Sequence, residues 1–406
     1  MTLGLYVHIP FCETKCPYCD FNTYAAIESL MPGYVDALEH EIIEWGAWLG
    51  RPTLTSLFFG GGTPSYLPTR DIRRLMRAIQ TAFDLPDSAE ATLEANPGDC
   101  SRERLQAIRR SGINRLSIGV QSLDDNELRM LGRRHSVDQA VRAVEAARVA
   151  GFDNLSVDLM FGLPYQHVSS WEHTLDEAIA LAPQHVSAYA LTLEGGTPME
   201  HDVNVGSLPT PDDDLAAEMF RITDEKLAAV GLAQYEISNW AKPGLESVHN
   251  LTYWRNQAWL GVGPGAHSYL VPGPGAFADL PTHGVRFADL KPPRTFIERA
   301  NAWRAAGAID VASLATAAAI DFVEEPTLAM ARAETMMMGL RLNQGVADAD
   351  FHTRFGVDIA QAFPHAVSDC IEDGLLEWFG DRLRLTPEGR PLGNEAFARF
   401  VGERQA

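Results

Sequence analysis

Basic residues are scarce in this chain. Its 406 residues hold 33 Lys and Arg against 54 Asp and Glu, a formal net charge of −21. General binding to nucleic acid or to an anionic membrane draws on a basic face, so this balance excludes both as primary roles while leaving room for a small basic pocket. Long apolar runs are missing too. The longest uncharged stretch, Asn256 to Ala278, carries eight Gly or Pro residues and cannot be a continuous spanning helix. Met1-Thr-Leu-Gly-Leu5 has neither a basic n-region nor an apolar h-region, so no secretory signal is read and a cytoplasmic protein is expected. Cysteine is sparse and odd in number, five in all, which does not suit a disulfide framework. Three of the five, Cys12, Cys16 and Cys19, fall within eight residues and read as one reduced metal site. The rest of the composition, 46% hydrophobic and 21% charged, is that of a globular protein with a sizeable core.

Short β-like runs recur at Leu3–His8, Ser56–Phe59, Thr92–Ala95, Arg115–Val120, Leu155–Phe161 and Val186–Leu193. Between them Asp71–Phe83, Arg102–Ser111, Val137–Ala150 and Ser170–Leu181 are amphipathic at helical period. Strand–helix–strand at this spacing means βαβ units and a parallel sheet, and six units in a row predict a barrel or an incomplete barrel. The unusual residues stand at the C-terminal ends of these runs, the edge where βα loops converge on an active site. Beyond about Pro198 the pattern changes. Asp212–Val230 reads as a helix and Trp240–Pro292 as loop-rich. Pro326–Arg341, Phe351–Phe363 and Pro364–Leu375 read as helices, ahead of a hairpin that starts at Leu376. The expected division is a barrel over residues 1–200, a connecting segment over 201–320, and a helical, winged-helix-like domain over 321–406. No basic stripe accompanies that last part, so it reads as a packing or lid module rather than a DNA reader. Met336-Met-Met338 reads as core filling on a helix.

Cys12-Glu-Thr-Lys-Cys16-Pro-Tyr-Cys19 is C-x3-C-x2-C in the loop after the first strand. Thiolates suit iron–sulfur clusters or zinc. Structural zinc wants four closed ligands, and no fourth Cys or His follows locally. Three thiolates on a cubane of four irons leave one iron open to a small molecule. A zinc site with a remote fourth ligand is the other reading of the same residues.

The spacing resembles the radical S-adenosylmethionine (SAM) superfamily. The closer resemblance is to the branch holding the oxygen-independent coproporphyrinogen III dehydrogenases and their heme-chaperone relatives. It is carried by Tyr6-Val-His-Ile-Pro-Phe-Cys12, Gly60-Gly-Gly-Thr-Pro-Ser65, Glu94-Ala-Asn-Pro97, Ser117-Ile-Gly-Val-Gln121, Arg133-Arg-His135, Asp158-Leu-Met-Phe-Gly-Leu-Pro164 and His249-Asn-Leu-Thr-Tyr-Trp254. The resemblance implies a partial (β/α)6 TIM-like barrel with a [4Fe-4S] cluster on Cys12, Cys16 and Cys19, SAM on the open iron, and a reductant for the cluster. Gly61, Gly62 and Thr63 would hold the methionine end of SAM. Glu94 would bond its ammonium or ribose. Gln121, Arg133 and Asp158 match SAM-binding positions, with Arg133 suited to a bidentate carboxylate pair. Ala190 would let the adenine approach, and Tyr6 and Tyr18 match nucleoside contacts. An aromatic filling the barrel is the plainer reading of Tyr6.

Two features separate the branches. The dehydrogenases continue the loop as C-x3-C-x2-C-x-C, where this chain has Phe21, and they carry a long N-terminal extension that is not seen before Tyr6. His249-Asn250-Leu-Thr-Tyr253-Trp254 matches the HNxxYW motif of the heme chaperones. Neutral imidazole is a common axial ligand of heme iron, and Tyr253 and Trp254 offer flat faces to a porphyrin. The expected function is therefore a heme chaperone that passes heme to an acceptor protein, with the dehydrogenase of porphyrin biosynthesis as the alternative.

Overall fold

The structure is a computed structural model that describes residues 2–317 and 319–402. Six strands, β1 (Thr2–Ile9), β2 (Thr53–Gly61), β3 (Glu90–Ala95), β4 (Arg115–Gln121), β5 (Asn154–Phe161) and β6 (His185–Ala190), pair in parallel in chain order. Their crossovers carry α1 (Met31–Trp48), α2 (Thr69–Ala82), α3 (Arg102–Arg110), α4 (Asp125–Met130) with α5 (Val137–Val149), and α6 (Val168–Ala180). Sequence explains the choice at each step. Leu3, Leu5, Val7 and Ile9 alternate along β1 and are all buried, as a strand covered by helices requires. In α2 the apolar positions Ile72, Leu75, Met76 and Ile79 fall on one face and are buried, while the arginines between them stay outside. Ser136 and Gln139 form a capping box that starts α5.

The expected α/β partial barrel with a C-terminal helical domain is what forms, but the sheet is wider than six strands. Trp240–Pro292, expected to be loop-rich, supplies four further elements. They are α9 (Val248–Trp254), β9 (Trp259–Val262), β10 (His267–Leu270) and β11 (Val285–Asp289). Each is only four to seven residues long, and the three strands lie among Gly and Pro, too short for periodicity to show. β9 lies parallel beside β1, and β10, β11 and β12 (Ile320–Glu324) extend that side antiparallel. On the other side, after α7 (Pro198–Asn204) and α8 (Asp213–Ala229), β8 (Asn239–Ala241) and β7 (Ala233–Glu236) pair antiparallel next to β6. The order is β12-β11-β10-β9-β1-β2-β3-β4-β5-β6-β8-β7, so the two edges do not close on each other.

After α10 (Pro293–Ala302), α11 (Val311–Thr316) and β12, the C-terminal part builds a separate core. Met336, Leu340, Phe351, Phe363, Leu383 and Phe400 pack there. It comprises α12 (Leu328–Gly339), α13 (Asp348–Phe355), α14 (Ile359–Ala362), α15 (Pro364–Glu372), α16 (Gly393–Gly402) and a small sheet of β13 (Val346–Ala347), β15 (Arg382–Leu385) and β14 (Leu376–Phe379). The single helix expected over Phe351–Phe363 is broken at Gly356, whose φ of 72° is the left-handed stop that glycine makes cheaply. Met336 is core filling, with Met337 packed at its edge.

Behind β1, Glu41 of α1 and Asp289 of β11 form a buried acid pair. Glu41 Oε2 accepts a hydrogen bond from the Gly263 amide, whereas Glu41 Oε1 and Asp289 Oδ2 have no donor among the described residues. A proton shared by the pair would supply one. Burial pushes both carboxyls up, Glu41 to about 8 and Asp289 well above its usual range. Raised folded-state pKa values mean that the folded chain binds more protons than the unfolded one. Stability should then be greatest below the ordinary carboxylate range and fall as pH rises toward about 8. The slope for one such group is at most about 1.4 kcal/mol per pH unit. Glu41→Gln should flatten this fall, which thermal melts at pH 5, 7 and 9 would reveal. Parallel melting curves for the two proteins would show that the pair does not hold the proton.

Candidate cluster and ligand site

The loop after β1 carries the three cysteines at the C-terminal edge of the barrel. It is fixed at its base by the Cys12 amide donating to Tyr24 O (3.0 Å) and the Tyr24 amide donating to Pro10 O (2.8 Å). Cys12, Cys16 and Cys19 are free thiols, each half-buried. Thr63 Oγ1 donates to Cys12 Sγ (3.4 Å) and Arg133 Nη1 to Cys16 Sγ (3.6 Å). Such donors favour thiolate, the form that ligates iron. Burial works against them, pushing the Cys12 and Cys19 thiols up, and a metal's positive charge would offset it. No three His, Cys, Asp or Glu side chains among the described residues gather closely enough to hold a single metal ion. Three thiols on one loop, with Thr63, Arg133 and Thr23 beside their sulfurs, are the soft ligand set of an iron–sulfur cluster or of zinc.

The thiols face a cavity of about 490 Å³. Its lining brings together most of the residues read from sequence: Cys12, Cys16, Cys19, Tyr18, Gly61, Gly62, Thr63, Glu94, Gln121, Arg133, Asp158, Ala190 and Asn250. Tyr6, His249, Tyr253 and Trp254 are not among them.

The glycines serve the backbone first. A Cβ on Gly62 would stand 2.8 Å from the carbonyls of Ile9 and Phe11, and one on Gly61 would meet the His8 ring at 2.5 Å. The Gly62 and Thr63 amides donate to those same carbonyls, so the run clamps β2 against the cysteine loop. Gln121 ends β4 with φ of 69°, a left-handed conformation that costs a non-glycine residue about 1–3 kcal/mol and is kept mainly where a site needs it. Arg133 Nη2 donates to Gly119 O (2.8 Å) and Nη1 to Cys16 Sγ and the Tyr18 hydroxyl (3.4 Å), bracing the cysteine loop against β4, while Nε has no partner among the described residues and the side chain lines the lumen.

Deeper in the lumen stand Glu94 and Asp158. Ser117 and Ser156 hydroxyls donate to Asp158. Burial, then the neighbouring Asp158, pushes Glu94 up to about 8, opposed by the Gly61 amide and the Arg115 guanidinium. Two mutually repelling carboxyls in a low-dielectric pocket are a ready site for an ammonium or sulfonium group.

The lumen extends to the opposite, N-terminal edge of the strands. There Phe58, Arg115, His185 and Asn250 line it, and α9 packs beneath. Glu90, at the start of β3, accepts from the Val248 and His249 amides (3.1 Å each) and lies 3.8 Å from Arg115. Neither Glu90 nor Arg115 was picked out from sequence. The signal was a charge at the first position of each of two otherwise apolar strands.

His249 is a correction to the sequence reading. The motif sits on a helix, not on an open loop, and the imidazole is 1% exposed. Nδ1 bonds Ser56 Oγ (2.9 Å) and Nε2 bonds the Tyr253 hydroxyl (2.8 Å). The ring stacks on Phe58 at 5.1 Å and Tyr6 at 6.3 Å. Burial, then Arg115, lowers its pKa to about 3, so it is neutral. Tyr253 is wedged edge-on between His249 and Trp259, and Arg341 lies over the Trp254 ring at 5.2 Å, so neither aromatic presents the open face expected of it. Tyr6, bonded to His8 Nδ1 (3.0 Å) and stacked in this group, fills the barrel.

An incomplete parallel barrel whose lumen opens under a C-x3-C-x2-C loop is the architecture of radical SAM proteins. The Radical SAM superfamily model matches residues 6–178, and the HemN C-terminal domain model matches 328–392. The heme chaperone HemW of Bacillus subtilis is 38% identical over 98% of this chain and 99% of its own length. That of Mycobacterium tuberculosis is 36% identical over 98% and 95%. The chain belongs to the heme chaperone HemW family. Its fold is also that of the Escherichia coli coproporphyrinogen III oxidase HemN, with a TM-score of 0.80 and 23% identity over 98% of this chain and 90% of that one. Among the described residues no helix is long and apolar enough to cross a membrane.

Proposed function

We propose that the chain is a heme chaperone. Cys12, Cys16 and Cys19 hold a [4Fe-4S] cluster, SAM occupies the lumen beneath it, and heme is bound and passed to an acceptor protein. The observation that carries this reading is one continuous lumen, with the three thiols at its mouth and the HNxxYW helix at its floor. When bound at these thiols, a cluster would supply reducing power to a ligand in the lumen. The chain's own residues do the rest. Thr63 and Arg133 steady the sulfurs, Glu94 and Asp158 take the ligand's positive groups, and the strained Gln121 lines the wall. Phe21, at the position of the dehydrogenases' fourth cysteine, is 62% exposed at the rim and brings no thiol to the site. His249 is neutral, the form that ligates iron, and ligation through Nε2 requires the Tyr253 hydroxyl to let go.

Glu94→Ala tests the lumen assignment. Losing one charge-assisted hydrogen bond costs about 1.5–3 kcal/mol, so the dissociation constant for SAM should rise about ten- to a hundredfold. Iron and sulfide content should not change, because the carboxylate does not reach the metal. An unaltered dissociation constant would remove Glu94 from the site.

A further inference from the structure

A second cavity, of about 240 Å³, lies at the far end of a series of rings that begins at His249. From His249 the rings of Tyr253, Trp259 and Tyr269 follow at centroid spacings of 4.9, 4.9 and 5.5 Å, and Tyr269 forms one wall of this cavity. Asn256, two residues beyond the motif, forms another. Across from them stands Arg354 of α13. Its Nη1 donates to Asn256 O (3.2 Å) and its Nη2 to the Tyr269 hydroxyl (2.9 Å), which itself donates to His283 O (2.9 Å). No carboxylate pairs with Arg354 among the described residues. Glu334, which interacts with Arg354 electrostatically, is paired with Arg286. The His283 ring, also on the wall, makes no hydrogen bond among the described residues. Val271 and Phe355 supply apolar surface beside these polar groups.

A guanidinium with no carboxylate partner and an imidazole around one cavity, with apolar walls, match a carboxylate carried on an apolar body, and Tyr269 positions the guanidinium. We propose that this cavity is a carboxylate-anchoring subsite and, resting on the heme reading above, that it holds the propionate edge of the porphyrin. Ligand pockets generally run to about 300–1,000 Å³, so a cavity of this size takes an edge and not the whole disc. The anchor is separate from His249, so metal-free porphyrin should use it as well as heme does.

The test titrates heme, metal-free protoporphyrin IX and protoporphyrin IX dimethyl ester into the full chain, followed by Soret absorbance and porphyrin fluorescence. The diacid should bind the unaltered protein about tenfold more tightly than the ester. Arg354→Gln should lose about tenfold on the diacid and on heme and nothing on the ester, while Arg354→Lys keeps most of the affinity. Unchanged iron content and melting temperature in Arg354→Gln establish that it folds. Equal affinity for diacid and ester, or an Arg354→Gln protein that binds both diacid and heme normally, overturns the subsite even if heme binding depends on His249. Failure of the unaltered protein to bind heme or porphyrin at all overturns the heme reading, and the subsite with it.

Discussion

Iron and acid-labile sulfide should fall to background when Cys16→Ala is reconstituted anaerobically. The three thiols are the only protein ligands proposed for the cubane, and two cannot hold it stably. The loop that presents them is fixed by backbone bonds from Cys12 and Tyr24, so the loss should be one of chemistry rather than of fold. Cys12→Ala and Cys19→Ala should behave alike. Cys100 and Cys370 are the matched controls. Both are buried, Cys100 donating to Asn96 O and Cys370 in the C-terminal core, and neither lines the lumen. Their alanine variants should keep a full cluster. Normal iron in Cys16→Ala, or its loss in Cys100→Ala with folding intact, would place the metal elsewhere.

The second large effect is at His249. If this imidazole ligates heme iron, His249→Ala should lose the shifted Soret band of the unaltered protein and leave the cluster untouched. The ring also holds α9 to β2 through its bond to Ser56 and its stack on Phe58, so the same substitution should cost about 2–4 kcal/mol of stability. The spectrum separates the two roles. Tyr253→Phe removes the hydroxyl that occupies Nε2 while keeping the aromatic wedge. If His249 is the ligand, heme should bind this variant at least as tightly as the unaltered chain, with the same band. Weaker binding by Tyr253→Phe, together with an unchanged spectrum in His249→Ala, would leave His249 as a purely structural residue.

Much of the barrel was legible in the sequence because each strand there is a buried apolar run followed by an amphipathic helix, and both leave periodic traces. The lumen was legible through the resemblance rather than through periodicity, and thirteen of the seventeen residues so read line one cavity. What escaped was short or solitary. β9 and β10 are four-residue strands in a Gly-rich stretch, β9 held by pairing with the distant β1 and β10 by pairing with β9 and β11, not by their own pattern. Gly356 split a helix that hydrophobic spacing alone would continue. The setting of His249, not its candidacy as a ligand, was misjudged because a motif says which residues occur together, not which way they face. Glu90 and Ser56, 159 and 193 residues away in sequence, turn it inward. The local acceptors of Arg133, Gly119 O and Cys16 Sγ, left no trace in the sequence for the same reason.

The central claim is that this barrel carries heme and does not decarboxylate a porphyrinogen. One anaerobic measurement addresses it most directly. The reconstituted chain is divided, one part titrated with heme and the other incubated with SAM, a low-potential reductant and coproporphyrinogen III. The account requires a saturable Soret shift in the first and no protoporphyrinogen in the second. Robust protoporphyrinogen formation without heme binding would contradict it and make the chain a dehydrogenase.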